Sequence, residues 1–144
     1  MTDLAANKLR SKRLYEEVFG DGNYAAADDL LAPDHVSHGP GAPAESGVEH
    51  IKRQAMLLRT AIPDMQVHLE DQVGEGDRVA SRWRGSGTHS GPLQLPTGAV
   101  PPTGNPVDFG EIRTDLHVDG RIIESWFIPD RMTLWQQLGL LPTR

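Results

Sequence analysis

The 144-residue chain contains no cysteine, and this absence excludes disulfide bonds, thiolate nucleophiles and cysteine-based zinc sites. It also lacks any apolar run long enough to cross a bilayer. Residues 1–13 contain no apolar stretch typical of a signal peptide. We therefore expect a cytoplasmic protein without a membrane partner.

Positive charge is in deficit as well, because 14 Lys and Arg face 20 Asp and Glu, for a net charge of −6. This balance argues against nucleic acid as a partner. No motif repeats at a fixed period. The length and composition predict one globular domain over residues 1–144, large enough to bury a core.

Two common catalytic signatures are missing. None of the six histidines belongs to an HExxH motif, and His35 and His38 lack a partnered carboxylate motif, so we predict no metal. There is no GxSxG elbow, and Gly85-Ser86-Gly87 lacks the required spacing, so a Ser/His/Asp triad is unsupported.

The first half of the chain has helical patterns. Leu14 and Val18, and Tyr15 and Phe19, are spaced for contact on one helix face. The predicted elements are a helix over residues 4–19, a short helix over 24–31 capped by Asn23, a loop or short extended piece over 34–43, and a helix from the capping box Ser46–Glu49 to Pro63.

The second half alternates with the period of strands. The predicted strands are residues 65–73, 78–89, 107–118 and 121–128, followed by a helix over 132–138 that ends at Gly139. Tight turns at 74–77 and at Asp119-Gly120 make neighbouring strands antiparallel. Residues 90–106 hold five prolines and predict a long irregular loop. Gly85 and Gly87 suggest a bulge or bend.

This order predicts an α+β fold in which N-terminal helices cover one face of a curved, mainly antiparallel sheet of four or more strands. A curved sheet covered by helices forms a cone with an internal pocket, which is a usual place for a small-molecule site.

Residues 120–139 contain the most informative carboxylate. Asp130 follows the apolar strand residues and Pro129, a setting that desolvates a carboxylate, raises its pKa and makes it a better base. The alternative is that Asp130 caps the short helix that follows.

Seven short motifs resemble those of the SnoaL-like polyketide cyclases, also called ester cyclases, of the NTF2-like superfamily. In order they are Ala61-Ile62-Pro63-Asp64, Glu75-Gly76-Asp77-Arg78-Val79-Ala80, Arg82-Trp83, Gly87-Thr88-His89-Ser90-Gly91, Pro102-Thr103-Gly104, Asp119-Gly120-Arg121-Ile122, and Ser125-Trp126 through Pro129-Asp130-Arg131 to Gln137-Leu138-Gly139. The resemblance runs from about Tyr15 to Gly139.

The resemblance implies a cone-shaped barrel that forms a homodimer or homotetramer. It implies an intramolecular aldol ring closure of a hydrophobic, carbonyl-rich substrate without a metal or organic cofactor. It assigns the acid/base role to Asp130, which we favour over the cap, although one side chain can do both. Many relatives have Arg where His117 stands, a departure that bears on the substrate more than on the fold.

Other side chains are candidates for the site. We expect His38, His89 and His117 to orient carbonyl groups or stabilise enolate charge, although His89 has an equally good structural interpretation at a strand end. His38 is either a pocket residue or an exposed loop histidine, and His35 is structural or solvated. On the third strand His117, Arg113 and Glu111 share a face.

The aromatic candidates for substrate binding also have core interpretations. Trp126 would form a wall for a flat ligand or belong to the core, and Tyr15 either reaches into the cone or packs in it. Trp83 and Arg82 point to opposite faces, so at most one lines the pocket. In one arrangement Trp83 belongs to the core or to the wall of the ligand site, and Arg82 is an interface or surface group. In the other arrangement the two residues exchange these places.

We therefore predict an enzyme of the cyclase type, with lyase or isomerase chemistry in antibiotic biosynthesis. One rival is another reaction in the same pocket: hydroxylation, pyran closure or epoxide hydrolysis. The other is a non-catalytic binding or dimerisation module.

Overall fold

The computed structural model describes residues 3–142. Met1, Thr2, Thr143 and Arg144, which the predicted domain includes, lie outside the described residues. The helices are α1 (Leu4–Arg13), α2 (Ala26–Leu30), α3 (Glu49–Ala61) and α4 (Arg131–Gln137), and a π-helical segment, Leu14–Gly20, continues α1. Within the described part of the chain, no helix is long and apolar enough to cross a membrane.

Eight strands form two sheets in the described residues. They are β1 (Leu31–His38), β2 (Glu45–Ser46), β3 (Gln66–Glu75), β4 (Arg78–Thr88), β5 (Leu93–Leu95), β6 (Gly98–Val100), β7 (Pro106–Val118) and β8 (Arg121–Pro129). Six of them make a curved, unclosed sheet in the order β2-β1-β8-β7-β4-β3, and β5 and β6 make a hairpin. All pairs are antiparallel except β1 with β8. The predicted α+β fold is confirmed.

The N-terminal helical run supplies much of the core. Leu14, Tyr15, Val18 and Phe19 are all buried, and the Tyr15 and Phe19 rings stack with centroids 4.7 Å apart, as their spacing predicts. The backbone N–H of Asp21 donates to the carbonyl of Glu16 at 2.9 Å, a five-residue step that marks the π-helical turn. This run lies against β3 and β4.

The first strand is a correction to the sequence prediction. Residues 31–38 form β1, where the end of a helix followed by a loop or short extended piece was expected. β1 pairs in parallel with β8, and the register shifts between Leu31 and Val36, which leaves room for Pro33 in a strand. Because its partner lies about 90 residues further along the chain, no local turn signal identifies this strand.

Three local predictions are also wrong. Val48 is the N-cap of α3 and no side chain caps that helix, so the expected capping box is absent. Ala25, not Asn23, precedes α2. The proline-rich loop contains the regular β5–β6 hairpin. The prolines stand outside these two three-residue strands, which is why the hairpin is compatible with them.

The predicted turns are confirmed. β3 returns as β4 through residues 76–77, and Asp119 and Gly120 both have positive φ values, 52° and 78°, as a tight hairpin requires. The glycines in β4 cause no bulge, because the pairing of β4 with β7 is continuous. Gly87 instead permits close packing, since a Cβ there would lie 2.4 Å from the Cγ2 of Ile62.

The two faces of the main sheet have different environments. We call the face toward the helices the inner face; it carries buried side chains such as Trp83, Arg113 and Ile122. The opposite, outer face carries large exposed apolar side chains, with Ile112 55% and Ile128 67% exposed. Side chains alternate between these faces along each strand, so residue parity decides which of them can reach the interior.

Candidate active site

An apolar cavity of about 210 Å³ opens at one end of the inner face. Its walls come from the π-helical segment, α3, the β5–β6 hairpin, β7, the end of β8 and α4. Most lining side chains are aromatic or aliphatic, and five of them are the aromatic residues Tyr15, Phe19, Phe109, Phe127 and Trp135. The polar lining residues are Gln54, Gln94, Glu111 and Arg131. Such a cavity, apolar with a few polar groups, is the usual form of a small-molecule site.

Glu111 is the carboxylate of this cavity. It is 8% exposed, because the alternation of β7 turns it inward opposite Trp83 of β4. Its Oε2 atom is buried and has no hydrogen-bond partner among the described residues. Burial raises the pKa of Glu111 to about 7; the charge of Asp115 raises it further, whereas Arg113 and Arg131 oppose the increase. A group with this pKa can both accept and donate a proton near neutral pH.

Arg113 lies two residues further along β7 and is 2% exposed. Its Nη1 is 3.9 Å from Oε1 of Glu111 and its Nε is 3.8 Å from Oδ1 of Asp115. The guanidinium carbon lies 5.7 Å from the ring centre of Tyr15 and 5.5 Å from that of Phe127. Two cavity-lining aromatic rings therefore hold a buried cation beside the Glu111 carboxylate.

Asp115 is the third buried charge on this strand. The hydroxyl of Ser11 donates to its Oδ2 at 2.8 Å and the hydroxyl of Ser125 donates to its Oδ1 at 2.6 Å. Because both serine hydroxyl groups donate to the carboxylate, their oxygens accept hydrogen bonds from histidine rings. Ser11 accepts from Nε2 of His117 and Ser125 accepts from Nε2 of His35, each at 3.0 Å. Burial lowers the pKa of both histidines to about 4, so both rings are neutral at pH 7.

His117 does not line the cavity. Its Nδ1 lies 3.0 Å from Nη1 of Arg10, and its ring borders a separate polar cleft with Asp77 and Gly120. The shared inner face predicted for Glu111, Arg113 and His117 is confirmed. Along β7, Glu111 lines the cavity, whereas Arg113 and His117 lie successively further from it. His35 is fully buried, which agrees with the structural interpretation.

Asp130 caps α4, as one interpretation of the sequence predicted. The backbone N–H of Thr133 donates to Oδ1 at 3.0 Å and the Thr133 hydroxyl donates to Oδ2 at 2.7 Å. These hydrogen bonds lower the pKa of Asp130, so the expected increase is wrong. The reason is exposure: Asp130 borders an outer groove with Ile128 and Met132 rather than the cavity.

The other polar candidates lie elsewhere on the molecule. His38 lies near the outer face, where its ring stacks on Trp126 with centroids 5.1 Å apart and its Nε2 is 2.6 Å from Oε2 of Glu124. Arg82 is exposed and pairs with Glu70. Trp126 is half-buried, and neither it nor His38 is among the residues that line the cavity.

His89 holds the base of the proline-rich loop. Its Nδ1 accepts from the backbone N–H of Thr103 at 3.2 Å and lies 2.9 Å from that residue's Oγ1. Because Thr103 closes the loop that bears the β5–β6 hairpin, His89 positions a wall of the cavity indirectly. This contact favours the structural interpretation of His89.

Tyr15 and Glu111 are the predicted site residues that the structure brings into the cavity. Trp83 lies directly behind Tyr15, with the rings stacked at 4.6 Å, and Trp83 and Arg82 do point to opposite faces. Sequence reasoning missed Asp115, Phe127, Arg131 and Trp135. For Asp115 the available signal was the alternation Glu-x-Arg-x-Asp-x-His in residues 111–117, which places four polar side chains on one face of a strand.

Comparison with known proteins matches residues 10–138 to the family model described as SnoaL-like polyketide cyclase. No curated protein matches the chain. The structure of IdmH from Streptomyces antibioticus, a proposed polyketide cyclase, is 33% identical, covers 92% of this chain and 98% of its own, and has a TM-score of 0.78.

Two further solved structures are similar. A proposed SnoaL-like polyketide cyclase from Jannaschia sp. CCS1 is 26% identical over 96% of this chain and 94% of its own, with a TM-score of 0.84. AclR from Streptomyces galilaeus, a proposed hydroxylase, is 24% identical over 99% of this chain and 86% of its own, with a TM-score of 0.84. At that identity AclR shows the shared NTF2-like fold alone.

Proposed function

The chain belongs to the SnoaL-like polyketide cyclase family, and we propose that it closes a ring in a carbonyl-rich polyketide by general acid/base catalysis at Glu111. The observation that carries this proposal is the unpartnered Oε2 of a buried carboxylate with a pKa of about 7 in an apolar cavity. The proposed chemistry is an intramolecular aldol reaction that uses no cofactor.

The reaction is balanced with one proton-transfer group. Ionised Glu111 removes a proton from a carbon between two carbonyl groups, and the resulting enolate carbon attacks a third carbonyl group of the same molecule. One carbon–carbon bond forms, and the new alkoxide takes the proton back from Glu111. General acid/base catalysis of this type typically accelerates a reaction about 10²–10⁴-fold.

The cavity also offers groups for the developing negative charge. Arg131, Gln54 and Gln94 line the same space, and their N–H groups are suitable donors for an enolate or alkoxide oxygen. Tyr15, Phe109 and Phe127 supply flat apolar surfaces against which rings pack. The predicted role of His38, His89 and His117 in orienting carbonyl groups has no support from this arrangement, because all three lie outside the cavity.

The size of the cavity favours a small reacting unit. Ligand pockets usually occupy roughly 300–1,000 Å³, and this cavity is about 210 Å³. We therefore propose that the reacting end of the substrate enters between Leu95 and Trp135, while the rest of the molecule stays near the mouth.

Asp130 remains the second candidate for the acid/base, on the strength of the family motif. It is exposed and forms two hydrogen bonds as a helix cap, and its lowered pKa makes it the weaker base. The variants Glu111→Gln and Asp130→Asn distinguish the two assignments.

Product mass tests the reaction class. Aromatic β-ketoester probes that carry a further aldehyde or ketone on the ring are incubated with the protein, with Glu111→Gln as the matched control, and products are analysed by mass spectrometry. Ring closure gives a cyclic isomer of unchanged mass that the control variant does not form. Incorporation of an oxygen atom or of water would instead favour hydroxylation or epoxide hydrolysis, and ligand retention without conversion would favour a binding module.

We also propose that the outer face pairs with a second copy of the chain as a homodimer. Ile112, Ile128 and Met132 are exposed there next to Arg82 and Glu70, and large apolar side chains on one surface favour association. Light scattering of the wild type should give the dimer mass at micromolar concentration, and Ile128→Lys should lower it. A wild-type monomer would contradict this proposal.

A further inference from the structure

The three buried charges of β7 do not share their partners equally. Arg113 is almost equidistant from the two carboxylates, at 3.9 Å from Glu111 and 3.8 Å from Asp115. Asp115, however, accepts a hydrogen bond from a hydroxyl group on each of its oxygens, whereas Oε2 of Glu111 has no hydrogen-bond partner among residues 3–142. Two hydroxyl groups therefore hold the Asp115 carboxylate beside Arg113, whereas no hydrogen bond from the described residues holds Oε2 of Glu111.

From this asymmetry we propose that Asp115, held by Ser11 and Ser125, is a positioning residue that neutralises Arg113 and thereby leaves Glu111 free to exchange protons with substrate. The inference rests on the proposed function and adds a residue to it. Asp115 does not line the cavity, so it acts on Glu111 without touching substrate, by pairing with Arg113 and by its own charge.

The net charge of the buried group explains the effect. With Asp115 and Arg113 both charged, the trio is neutral when Glu111 is protonated and carries one negative charge when Glu111 ionises. If Asp115 loses its charge, Arg113 has Glu111 as its remaining partner on the strand, and ionised Glu111 then gives the neutral trio. Burial in a medium of low polarity favours the neutral arrangement in each case.

The other titratable groups near Glu111 and Asp115 do not change their charge while Glu111 titrates. His35 from β1 and His117 from β7 are neutral at pH 7, since burial lowers the pKa of each to about 4. Arg131 faces Glu111 from α4, and Arg10 of α1 contacts His117. Both arginines keep their charge throughout the range in which Glu111 titrates.

The test is a carboxyl-¹³C NMR titration of Glu111 in the wild type and in Asp115→Asn. We expect the midpoint of Glu111 to fall by about 1–3 pH units in the variant, as for a carboxylate left beside an arginine. Asp115→Glu should keep a midpoint near that of the wild type. An unchanged midpoint in folded Asp115→Asn would overturn the proposal.

Two further readouts keep the test decisive. In the wild type, Asp115 must stay charged while Glu111 titrates; a titration in which Asp115 takes the proton near pH 7 overturns the proposal even if the variant does not fold. The acid limb of the pH–rate profile should move with the NMR midpoint. If Glu111→Gln keeps full activity, the proposed function is wrong. The effect of Asp115 on the Glu111 midpoint is measured by NMR and is decided independently of that result.

Discussion

The burial of Glu111 has a measurable consequence for stability. Its pKa rises from 4.5 to about 7 in the folded protein, whereas the unfolded chain retains the ordinary value. Folding therefore favours the protonated form of Glu111. The stability that this form contributes is fully present below about pH 4.5 and is lost as the pH rises through 7. In Glu111→Gln, the neutral amide cannot ionise, so this loss does not occur.

The magnitude follows from the pKa difference. Each pKa unit corresponds to about 1.4 kcal/mol, and integration between pH 5 and pH 8 gives a loss of about 2.5 kcal/mol in the wild type. The free energy of unfolding of Glu111→Gln relative to wild type should therefore increase by this amount over the interval. Urea denaturation at both pH values measures it, and taking the difference cancels other groups that titrate equally in both proteins.

Glu70→Gln is the matched control, because Glu70 is a carboxylate whose pKa is lowered by Arg84 and Arg82. The stability that ionised Glu70 contributes is present above its pKa in the unfolded chain and is lost only as the pH falls through its lower pKa in the folded protein. The difference in free energy of unfolding between Glu70→Gln and wild type should therefore be nearly constant between pH 5 and pH 8. If Glu111→Gln behaved like this control, Glu111 would be ionised at neutral pH without penalty, and the reasoning would be refuted.

Two further predictions concern stability. Asp130→Ala should lower the free energy of unfolding by about 1 kcal/mol, because α4 loses the cap on the N–H of Thr133; chemical denaturation that shows no loss would contradict the cap. Gly87→Ala should cost about 1–3 kcal/mol, since its Cβ would overlap Ile62. Gly110→Ala, where the nearest atom would be 3.6 Å away, should be close to neutral, and equal thermal melting of the two variants would refute the packing argument.

The elements that could be predicted are those with local signals. Strands β3, β4, β7 and β8 alternate with period two, and the Asp119-Gly120 turn requires only two residues with positive φ. β1 could not be predicted because its pairing with β8 is parallel and distant in sequence. The whole sheet therefore became clear only with the structure.

The site was harder to predict because alternation does not reveal which face is inside. On β7 the apolar residues Ile112 and Leu116 point outward, and the charged residues Glu111, Arg113 and Asp115 point inward. Within residues 111–117 a hydrophobic pattern alone favours the reverse orientation, although Val107 and Phe109 earlier in β7 are buried on the inner face. Only the helices packed on the inner face settle the orientation, and they leave Glu111 in the cavity.

Asp130 shows the limit of an argument from neighbouring residues. Asp130 follows β8 on the side of Trp126 and Ile128, and these residues belong to the outer face, where Ile128 is 67% exposed. An apolar sequence context desolvates a carboxylate only when both lie on the buried side of the strand. The buried neighbour is Phe127, whose side chain points the other way.

The identity of the acid/base is tested most directly by the turnover of Glu111→Gln and Asp130→Asn at pH 7, with a substrate that the wild type cyclises. We predict that Glu111→Gln lowers kcat by roughly 10²–10⁴-fold and that Asp130→Asn lowers it by less than about 10-fold, in line with an exposed cap. Circular dichroism and thermal melting verify that both variants are folded. The opposite ranking, with Glu111→Gln near wild-type activity and Asp130→Asn inactive, would contradict the central claim.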